Sequence, residues 1–315
     1  MKDKIRNRAV IGIDLGGTKI SAALFSYEGA IINKTEVLLE GKGGAEAGLL
    51  VVNQVLRQVK YAKSNKYRLD SIGICVPGIS NHTNYTVWAP NIPEWEKYPL
   101  YEEIKKAIDD HTVHISIESD RSCYILGEMW QGSAQSCSNA IFMAVGTGIG
   151  IGIVANGNII SGNAGISGSI GWLALNQPYL PEYEQCGNFE YYASGTGIAR
   201  NAGKMLNKSE LTAKDVFTAY GQNDPVAKHV INQSIEYWGM AVANLVSIFN
   251  PEKIIFGGGV FGPAIQFLDR IHDEARKWAQ PISMQQVRLE GSSLKGETGL
   301  IGAGFLAIQG KNRSS

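Results

Sequence analysis

The chain has 315 residues, of which 37 are glycine and only 18% are charged, and its formal net charge is zero. Proteins average about 7% glycine and about 25% charged residues, so this chain is rich in glycine and poor in charge. A hydrophobic content of 44% excludes a disordered chain, and glycine does not recur at every third position as in collagen. Without a basic surplus, we expect no nucleic-acid partner.

The sequence contains no apolar run near the roughly 18 residues that cross a bilayer. Its polar start also lacks the apolar core of a signal peptide. Four cysteines, Cys75, Cys123, Cys137 and Cys186, occur without a CxxC pattern. This favours reduced, mostly buried thiols over a disulfide framework or a complete zinc site. We expect a cytoplasmic protein that does not bind membranes.

Two segments of the chain share one plan. Residues 9–37 read as an apolar run, a glycine-rich turn, a second run, a turn at Glu28-Gly29 and a third run. Residues 139–161 repeat this plan, with the second turn at Asn156-Gly157. Asn-Gly between apolar runs is a strong hairpin signal. The pattern predicts two β-meanders, each opened by a glycine loop, and two lobes around a cleft.

Further elements follow each meander. In chain order, the patterns predict a helix over 49–64, strands over 71–76 and 113–118, a helix over 121–131, a long amphipathic helix over 234–249 that stops at Asn250-Pro251, and a strand over 253–256.

The glycine loops pose the first chemical question. No stretch matches the Walker pattern GxxxxGK[ST]. The spacing GxGxxA occurs from Gly150 to Ala155, but a hairpin follows it where a dinucleotide site needs a helix. What remains is a tight loop whose backbone N–H groups can approach a phosphate. One such loop is more often a plain turn, but three, at 16–17, 146–152 and 257–259, favour phosphate binding.

The runs IGIDLGGTKISAALF, VGTGIGIGIVANGNIISG and IIFGGGVF resemble the phosphate-1, phosphate-2 and adenosine motifs of actin-like sugar kinases. With ICVPGIS, IESDRSCYILGE, GISGSIGW and FEYYASGTGIAR, essentially the whole chain resembles the ROK (repressor, open reading frame, kinase) family. The resemblance implies a two-lobed actin-like ATPase (ribonuclease H-like) α/β fold. Its first lobe would comprise 1–117 plus about 296–315, and its second 118–295. The implied reaction is ATP-dependent phosphorylation of a hydroxyl, in the first place a primary one, on a sugar or sugar-like substrate.

The resemblance assigns the two acidic roles of this reaction. Phosphoryl transfer needs positioning, charge neutralisation and one group that accepts the proton of the attacking hydroxyl. Asp120 matches the family's catalytic base; the alternative is an ordinary N-cap of the helix 121–131. Asp14 matches the residue that holds Mg²⁺ through water, which needs few carboxylates. Its alternative is the cap of a turn.

The resemblance also assigns the residues that bind the nucleotide. They are Gly16, Gly17, Thr18, Lys19, Thr147, Gly148, Gly258 and Gly259. Lys19 has the alternative of a solvated charge on a strand. We expect backbone amides rather than lysines to bind most of the phosphate, which fits the low charge. Sixteen of the 37 glycines fall in 12–17, 146–171 and 257–262, and we expect these stretches to line the site.

The substrate end departs from the family pattern. The Asn that usually precedes the base is Ser119, and GEIGH has become GSIGW, with Ser169 and Trp172 in place of Glu and His. The zinc motif CxCGxxGCxE is reduced to residues 185–190 with Cys186 alone. One thiol cannot make a four-ligand site, so we predict no structural zinc.

Other substrate contacts of the family are kept. Glu190, Gly78 and Asn91 match them. Because a site that loses hydrogen-bonding groups discriminates less well, glucose recognition should be weakened. Candidate substrates are an amino or deoxy sugar, a C1-modified sugar, a cyclitol or a larger glycoside. Trp172 is consistent with stacking on a ring and equally with core packing that replaces the zinc.

Two alternatives to an active sugar kinase are open. Some relatives are repressors with an N-terminal winged helix, whereas eight residues precede the first strand here. The other alternative is a kinase-like protein that binds sugar or nucleotide without efficient transfer, against which the retained Asp120 argues. The family usually forms homodimers, which nothing in this sequence fixes.

Overall fold

The computed structural model describes residues 8–81, 83–108 and 110–313. Residues 1–7, 82, 109 and 314–315, which the predicted first lobe includes, lie outside the described residues. The described chain divides into two compact units. The first contains the described residues up to Gln135, the segment Ser161–Ser167 and the residues from Leu294 onward. The second contains Ser136–Ile160 and Gly168–Ser293.

The secondary structure is mixed throughout the chain. The strands are β1 (Arg8–Leu15), β2 (Lys19–Ser26), β3 (Ile31–Leu38), β4 (Arg68–Val76), β5 (Ile79–Asn81), β6 (Thr86–Trp88), β7 (His114–Ser119), β8 (Ala140–Val145), β9 (Ile149–Ala155), β10 (Asn158–Ile159), β11 (Lys253–Gly257) and β12 (Arg288–Gly291). The helices are α1 (Gly44–Ser64), α2 (Leu100–Ile108), α3 (Asp120–Gln131), α4 (Asn188–Ala193), α5 (Gly195–Leu206), α6 (Ala213–Gly221), α7 (Pro225–Phe249), α8 (Leu268–Ala275), α9 (Pro281–Gln286) and α10 (Thr298–Arg313).

Each unit is built on a five-stranded sheet, and the two sheets have the same plan. Their orders are β3-β2-β1-β4-β7 and β10-β9-β8-β11-β12. In both sheets, the first three strands in that order form an antiparallel meander. The inner strand of the meander, β1 or β8, pairs in parallel with β4 or β11, and this strand pairs in parallel with the edge strand β7 or β12. The predicted duplicated meanders are therefore confirmed, together with the α/β fold class.

The first sheet is covered on both faces. The nonpolar face of α1 packs on one side with buried Val51 and Val55. On the other side α10 approaches β1 and β4 through glycines, because a Cβ atom at Gly12 would lie 2.7 Å from the backbone nitrogen of Gly304. Gly12, which the sequence placed among the glycines of the site, instead allows α10 to pack against the sheet.

The second sheet packs on α7, whose core residue Trp238 is fully buried. The helix begins at Pro225, nine residues before the predicted start, because Asp224 caps it and proline suits its first turn. It ends as predicted, where Asn250 adopts the left-handed conformation.

The compact units do not follow the predicted lobe boundary at residue 117. Helix α3 packs against α10 within the first unit, because Gly302 of α10 lies against the backbone of Cys123. These are units of packing, and the division into lobes as domains stays a prediction.

Candidate active site

Two carboxylates stand where parallel strands of the first unit end. Asp14 is the penultimate residue of β1, and its register partner on β4 is Cys75. Asp120 opens α3 directly after β7, the neighbour of β4 in the sheet. The carboxyl ends of parallel strands meet at one edge of a sheet, where ligands of α/β proteins commonly bind. The fold thus brings both predicted acidic residues to the same edge.

Burial raises the pKa of both carboxyls. It raises the pKa of Asp120 to about 6, with repulsion from Asp14 acting in the same direction and the Arg121 charge opposing it. Burial likewise raises the pKa of Asp14, against a hydrogen bond with Cys75 and attraction to Lys19. Asp120 is therefore mostly ionised at neutral pH and still basic enough to accept a proton.

The N-cap of α3 is Ser119, so the alternative that made Asp120 the cap is wrong. The hydroxyl of Ser119 accepts a hydrogen bond from the Ser122 backbone N–H at 3.3 Å. Asp120 is the first helical residue, and its Oδ1 accepts from the Arg121 N–H at 2.8 Å. A negative charge in the first turn is favourable. Ser119, predicted to contact substrate, is buried with its hydroxyl engaged in the cap.

Thiols lie next to the two carboxylates. Cys75 hydrogen-bonds Asp14 and Cys123, and burial contributes to a raised pKa in both thiols. Both side chains, with that of Cys137, are buried, whereas Cys186 is half-buried. As predicted, all four cysteines are free, and three of the four are buried.

The first glycine loop joins β1 to β2 and is exposed. The Gly16 N–H donates to the Lys19 carbonyl at 2.9 Å, which closes the turn. A Cβ atom at Gly17 would meet no other protein atom within 4 Å. Thr18 is exposed, and Lys19 places its Nζ 2.7 Å from Glu36 Oε1 in an exposed ion pair. Lys19 therefore has a local carboxylate partner on β3.

Two predicted substrate residues lie near each other in the first unit. Gly78 precedes β5, and a side chain there would collide with the carbonyl of Trp88. Asn91 is exposed in the turn that follows Trp88, closed by a 3.0 Å hydrogen bond from the Ile92 N–H to the Ala89 carbonyl. Both positions depend on the short β5–β6 ribbon.

The second glycine loop joins β8 to β9 and contacts a carboxylate. Glu190 on α4 accepts a hydrogen bond from the Ile149 N–H at 2.6 Å through Oε2. A Cβ atom at Gly148 would lie 2.7 Å from that oxygen. Burial raises the pKa of Glu190, against this backbone hydrogen bond and the charge of Arg200. Gly148 therefore makes room for Glu190, a predicted substrate residue.

A cavity of about 1100 Å³ opens beside this loop within the second unit. It is lined by Gly146, Thr147, Gly195, Thr196, Ala199, Arg200, Gly203, Lys204, Asn207, Lys208, Ser209, Leu211, Thr212, Ala213, Lys214, Gly259 and Val260. Of the predicted nucleotide residues, the lining includes Thr147 and Gly259. Gly258 is adjacent, with a φ of 88° and a backbone packed on Val145.

Four cationic side chains line this cavity, and no carboxylate does so within the described part of the chain. Tyr191 holds two of them: the Arg200 guanidinium lies 3.8 Å from the centre of its ring, and Lys204 Nζ donates to its hydroxyl at 2.7 Å. These cations were not among the residues predicted from the sequence. The sequence feature that could have indicated them is the spacing of four residues between Arg200 and Lys204, which puts both on one face of α5.

Trp172 is exposed, contrary to the core-packing alternative. It ends a single turn of 3₁₀ helix whose other residues, Ile170 and Gly171, are buried, yet its own side chain is 58% exposed. Ser169 precedes this turn and is half-buried. The alternative of core packing by Trp172 is therefore wrong.

Among the residues that the structure describes, no group of three or more His, Cys, Asp or Glu side chains is placed to hold a metal ion. In the same residues, no helix has the length and apolar character needed to span a membrane.

Comparison with known proteins defines the class. A chain crystallised as a ROK hexokinase from Thermus thermophilus superimposes with a TM-score of 0.83 at 26% identity, covering 98% of this chain and 100% of that one. A ROK family glucokinase from Streptomyces griseus in complex with glucose and AMPPNP gives a TM-score of 0.72 at 28% identity, covering 96% and 99%. The fold is that of the actin-like ATPases to which ROK sugar kinases belong.

The sequence comparisons give the family. The family model described as ROK family matches residues 10–310. A glucokinase from Halalkalibacterium halodurans is 32% identical, over 97% of both chains. The chain belongs to the ROK family.

Proposed function

We propose that this protein transfers the γ-phosphoryl group of ATP to a hydroxyl, in the first place a primary one, of a sugar or sugar-like substrate. At the level of the family, the chain is an ATP-dependent carbohydrate kinase. The observation that carries the proposal for this chain is Asp120, a half-buried carboxyl at the start of a helix, where desolvation raises its pKa to about 6. A kinase of this kind needs such a group and little other covalent chemistry.

Asp120 is the proposed general base. As the substrate oxygen bonds to the γ-phosphorus and the bond from that phosphorus to the bridging oxygen of ADP breaks, the hydroxyl proton passes to the Asp120 carboxylate. The helix N-terminus and Arg121 keep Asp120 ionised before the transfer. Asp14 and the surrounding burial make it more basic, so that it can hold the proton afterwards.

Asp14 is the proposed residue for Mg²⁺, held through water. The donor set fits, because Mg²⁺ prefers oxygen ligands and keeps several waters. Asp14 packs against Gly299 in the first turn of α10, where an added Cβ atom would lie 2.7 Å from its Oδ2. Its raised pKa marks a buried negative charge that a divalent cation would stabilise. Bound Mg²⁺ would supply charge neutralisation for the transferred phosphoryl group.

The cavity of the second unit is the proposed nucleotide site. Gly16, Gly17, Thr18 and Lys19 belong to the first unit, and their nucleotide role stays a prediction from the family resemblance. Arg200, Lys204, Lys208 and Lys214 supply positive charge without an opposing carboxylate in the described lining. Gly146 and Gly259 leave open space where side chains would otherwise project. Charge-assisted hydrogen bonds to phosphate are among the stronger polar contacts in proteins. The proposal therefore adds lysine and arginine contacts to the backbone amides that the sequence predicted.

Glu190, Ser169 and Trp172 are the proposed substrate contacts of the second unit, whereas the substrate role of Gly78 and Asn91 in the first unit stays a prediction. We propose that free glucose is not the preferred substrate, because Trp172 offers an exposed indole and the Ser119 hydroxyl is occupied by the α3 cap. Structural zinc is not part of this proposal, since the segment around Cys186 provides one thiol. A small-molecule substrate and a homodimer remain predictions.

A coupled assay of ADP release tests the proposal. The full chain is incubated with ATP and Mg²⁺ over a panel of hexoses, aminosugars, deoxy sugars and cyclitols, and the products are analysed by mass for one added phosphoryl group. Saturable release with at least one of them supports the kinase. Saturable sugar or nucleotide binding without ADP release on any panel member would instead support a kinase-like binding protein.

A further inference from the structure

The side chain of Trp172 is held differently from those of three other tryptophans, and it shares its exposure with Trp88, which is 42% exposed. Trp95 and Trp238 are buried and donate indole N–H bonds of 3.0 Å to backbone carbonyls. Trp278 is exposed, but its indole N–H donates to Glu274 at 3.0 Å. Trp172 is 58% exposed, and its ring makes no hydrogen bond or ring contact with the rest of the described chain. Neither core packing nor a polar partner explains it.

The backbone of Trp172 is nevertheless held firmly. A Cβ atom at Gly187, which has a φ of 78°, would lie 2.5 Å from the Cα atom of Trp172. Because even a methyl group is excluded at that contact, the tryptophan is fixed against the start of α4. The indole therefore projects from a backbone position that is closely packed against Gly187.

That position adjoins the carboxylate of Glu190. A Cβ atom at Gly171, the residue before Trp172, would lie 2.9 Å from Glu190 Oε2 and from Glu190 Cβ. Glu190 is itself fixed by the Ile149 N–H. One fixed carboxylate, an acceptor for sugar hydroxyls, thus lies one residue from an exposed aromatic face.

We infer that the substrate carries a second ring beside the phosphorylated sugar, and that this ring stacks on Trp172. The inference rests on the proposed function, because it names the substrate class of that same site. Glu190 accepts hydrogen bonds from the sugar, and the indole covers the apolar face of an attached pyranose or aryl ring. Stacking on an aromatic face stabilises such a ring, while a sugar without it leaves the indole in water. The substrate class is a glycoside, and Trp172 determines the specificity.

The test compares glycosides that differ only in the second ring. ADP release is measured with ATP and Mg²⁺ for the free sugar, methyl β-glycoside and phenyl β-glycoside of glucose, mannose and N-acetylglucosamine, and for cellobiose. We expect kcat/KM for a phenyl glycoside or for cellobiose to exceed that of the methyl glycoside of the same sugar by about tenfold, which corresponds to about 1.4 kcal/mol. The phenyl and cellobiose arms distinguish an aryl ring from a second pyranose.

Substitution then assigns the preference to one side chain. Trp172→Ala is expected to remove it by raising KM for the two-ring substrate about tenfold, with kcat within about threefold and a clearly smaller rise of KM for the methyl glycoside. Trp172→Phe should retain part of it. Trp278→Ala is the matched control, an exposed tryptophan on another part of the second unit, and should leave all values unchanged. Quenching of intrinsic fluorescence by cellobiose in wild type but not in Trp172→Ala provides a readout independent of turnover.

Two results overturn the inference. One is a wild-type preference for free sugars over their phenyl glycosides, and the other is an equal loss on all substrates in Trp172→Ala, which would mean that the indole contacts the phosphorylated sugar itself. Either leaves the kinase proposal standing, since ADP is still released. Absence of ADP release with every compound would count against the proposed function as well.

Discussion

The two glycine hairpins occupy equivalent places in equivalent sheets, yet their surroundings differ in charge. The hairpin of the first unit follows Asp14, at the sheet edge that also carries Asp120. The hairpin of the second unit opens on a cavity lined by four cations. The same sheet plan thus carries the proposed acid–base and metal chemistry in one unit and the proposed nucleotide binding in the other.

The glycines themselves also differ between the two hairpins. Gly17 leaves open space in the exposed first loop. In the second loop, Gly146 leaves open space, whereas Gly148 accommodates the carboxylate of Glu190. A shared motif therefore does not give each glycine the same role. Four experiments test this difference between the two hairpins.

The largest effect is expected from Asp120→Asn. Removing the proposed base should lower kcat by about 10²- to 10⁴-fold while ATP affinity persists. Because burial raises the pKa of Asp120 from 3.8 to about 6, the folded chain loses stability as the pH rises between these two values, and the full cost is present at pH 8. The variant should therefore melt at the same or a higher temperature at pH 8, by calorimetry. Asp269→Asn, an exposed carboxylate on α8, is the control, and near-normal turnover of Asp120→Asn would remove Asp120 from the mechanism.

The pH profile of the wild-type enzyme should show the same carboxyl. Protonation of Asp120 below its pKa of about 6 removes the acceptor, so kcat/KM should fall about tenfold per pH unit below that value. Steady-state rates are measured between pH 5 and 8, with nucleotide binding measured in parallel. This distinguishes loss of the proton acceptor from weaker ATP binding. A profile that stays flat down to pH 5 would contradict the assigned base.

An intermediate effect is expected from a matched pair in the second loop. Gly148→Ala would place a Cβ atom 2.7 Å from Glu190 Oε2, so we expect it to raise KM for the sugar about five- to thirtyfold. Gly146→Ala meets no other protein atom within 4 Å, so it should fold normally and raise KM for ATP instead. Each variant is the control for the other. The same change in both substrates for both variants would show that the loop is a single structural element.

The smallest effect is expected from Lys214→Met in the cavity. Losing one exposed cation near the phosphates should raise KM for ATP about three- to tenfold at low ionic strength and less at high salt, because salt screens exposed charges. Lys228→Met, an exposed lysine on α7 outside the lining, is the control. Equal effects of the two substitutions would assign the change to net charge rather than to the cavity.

The sequence could predict much of the fold for a definite reason. Alternating apolar runs, the turns at Gly29 and Asn156-Gly157 and the stop at Asn250 are local signals, and each stands in the structure as predicted. The start of α7 was missed, although Ala227, Val230 and Ile231 continue the helical spacing of its buried face and Asp224-Pro225 is a helix-start signal. The N-cap of α3 was also missed, because Ser119 and Asp120 are both good capping residues and only backbone geometry chooses between them.

The family and the two similar sheets could be predicted from the sequence alone, because they depend on motifs that are continuous in the chain. The same motifs indicated Asp14 and Asp120 as the candidate acidic residues. Only the tertiary structure decided which glycines pack and which leave space, that Trp172 is exposed, and that four cations converge on one cavity. Those facts depend on residues brought together from distant segments. The glycines accordingly fall into two groups: Gly12 allows α10 to approach a sheet, whereas Gly17, Gly146 and Gly259 border open space.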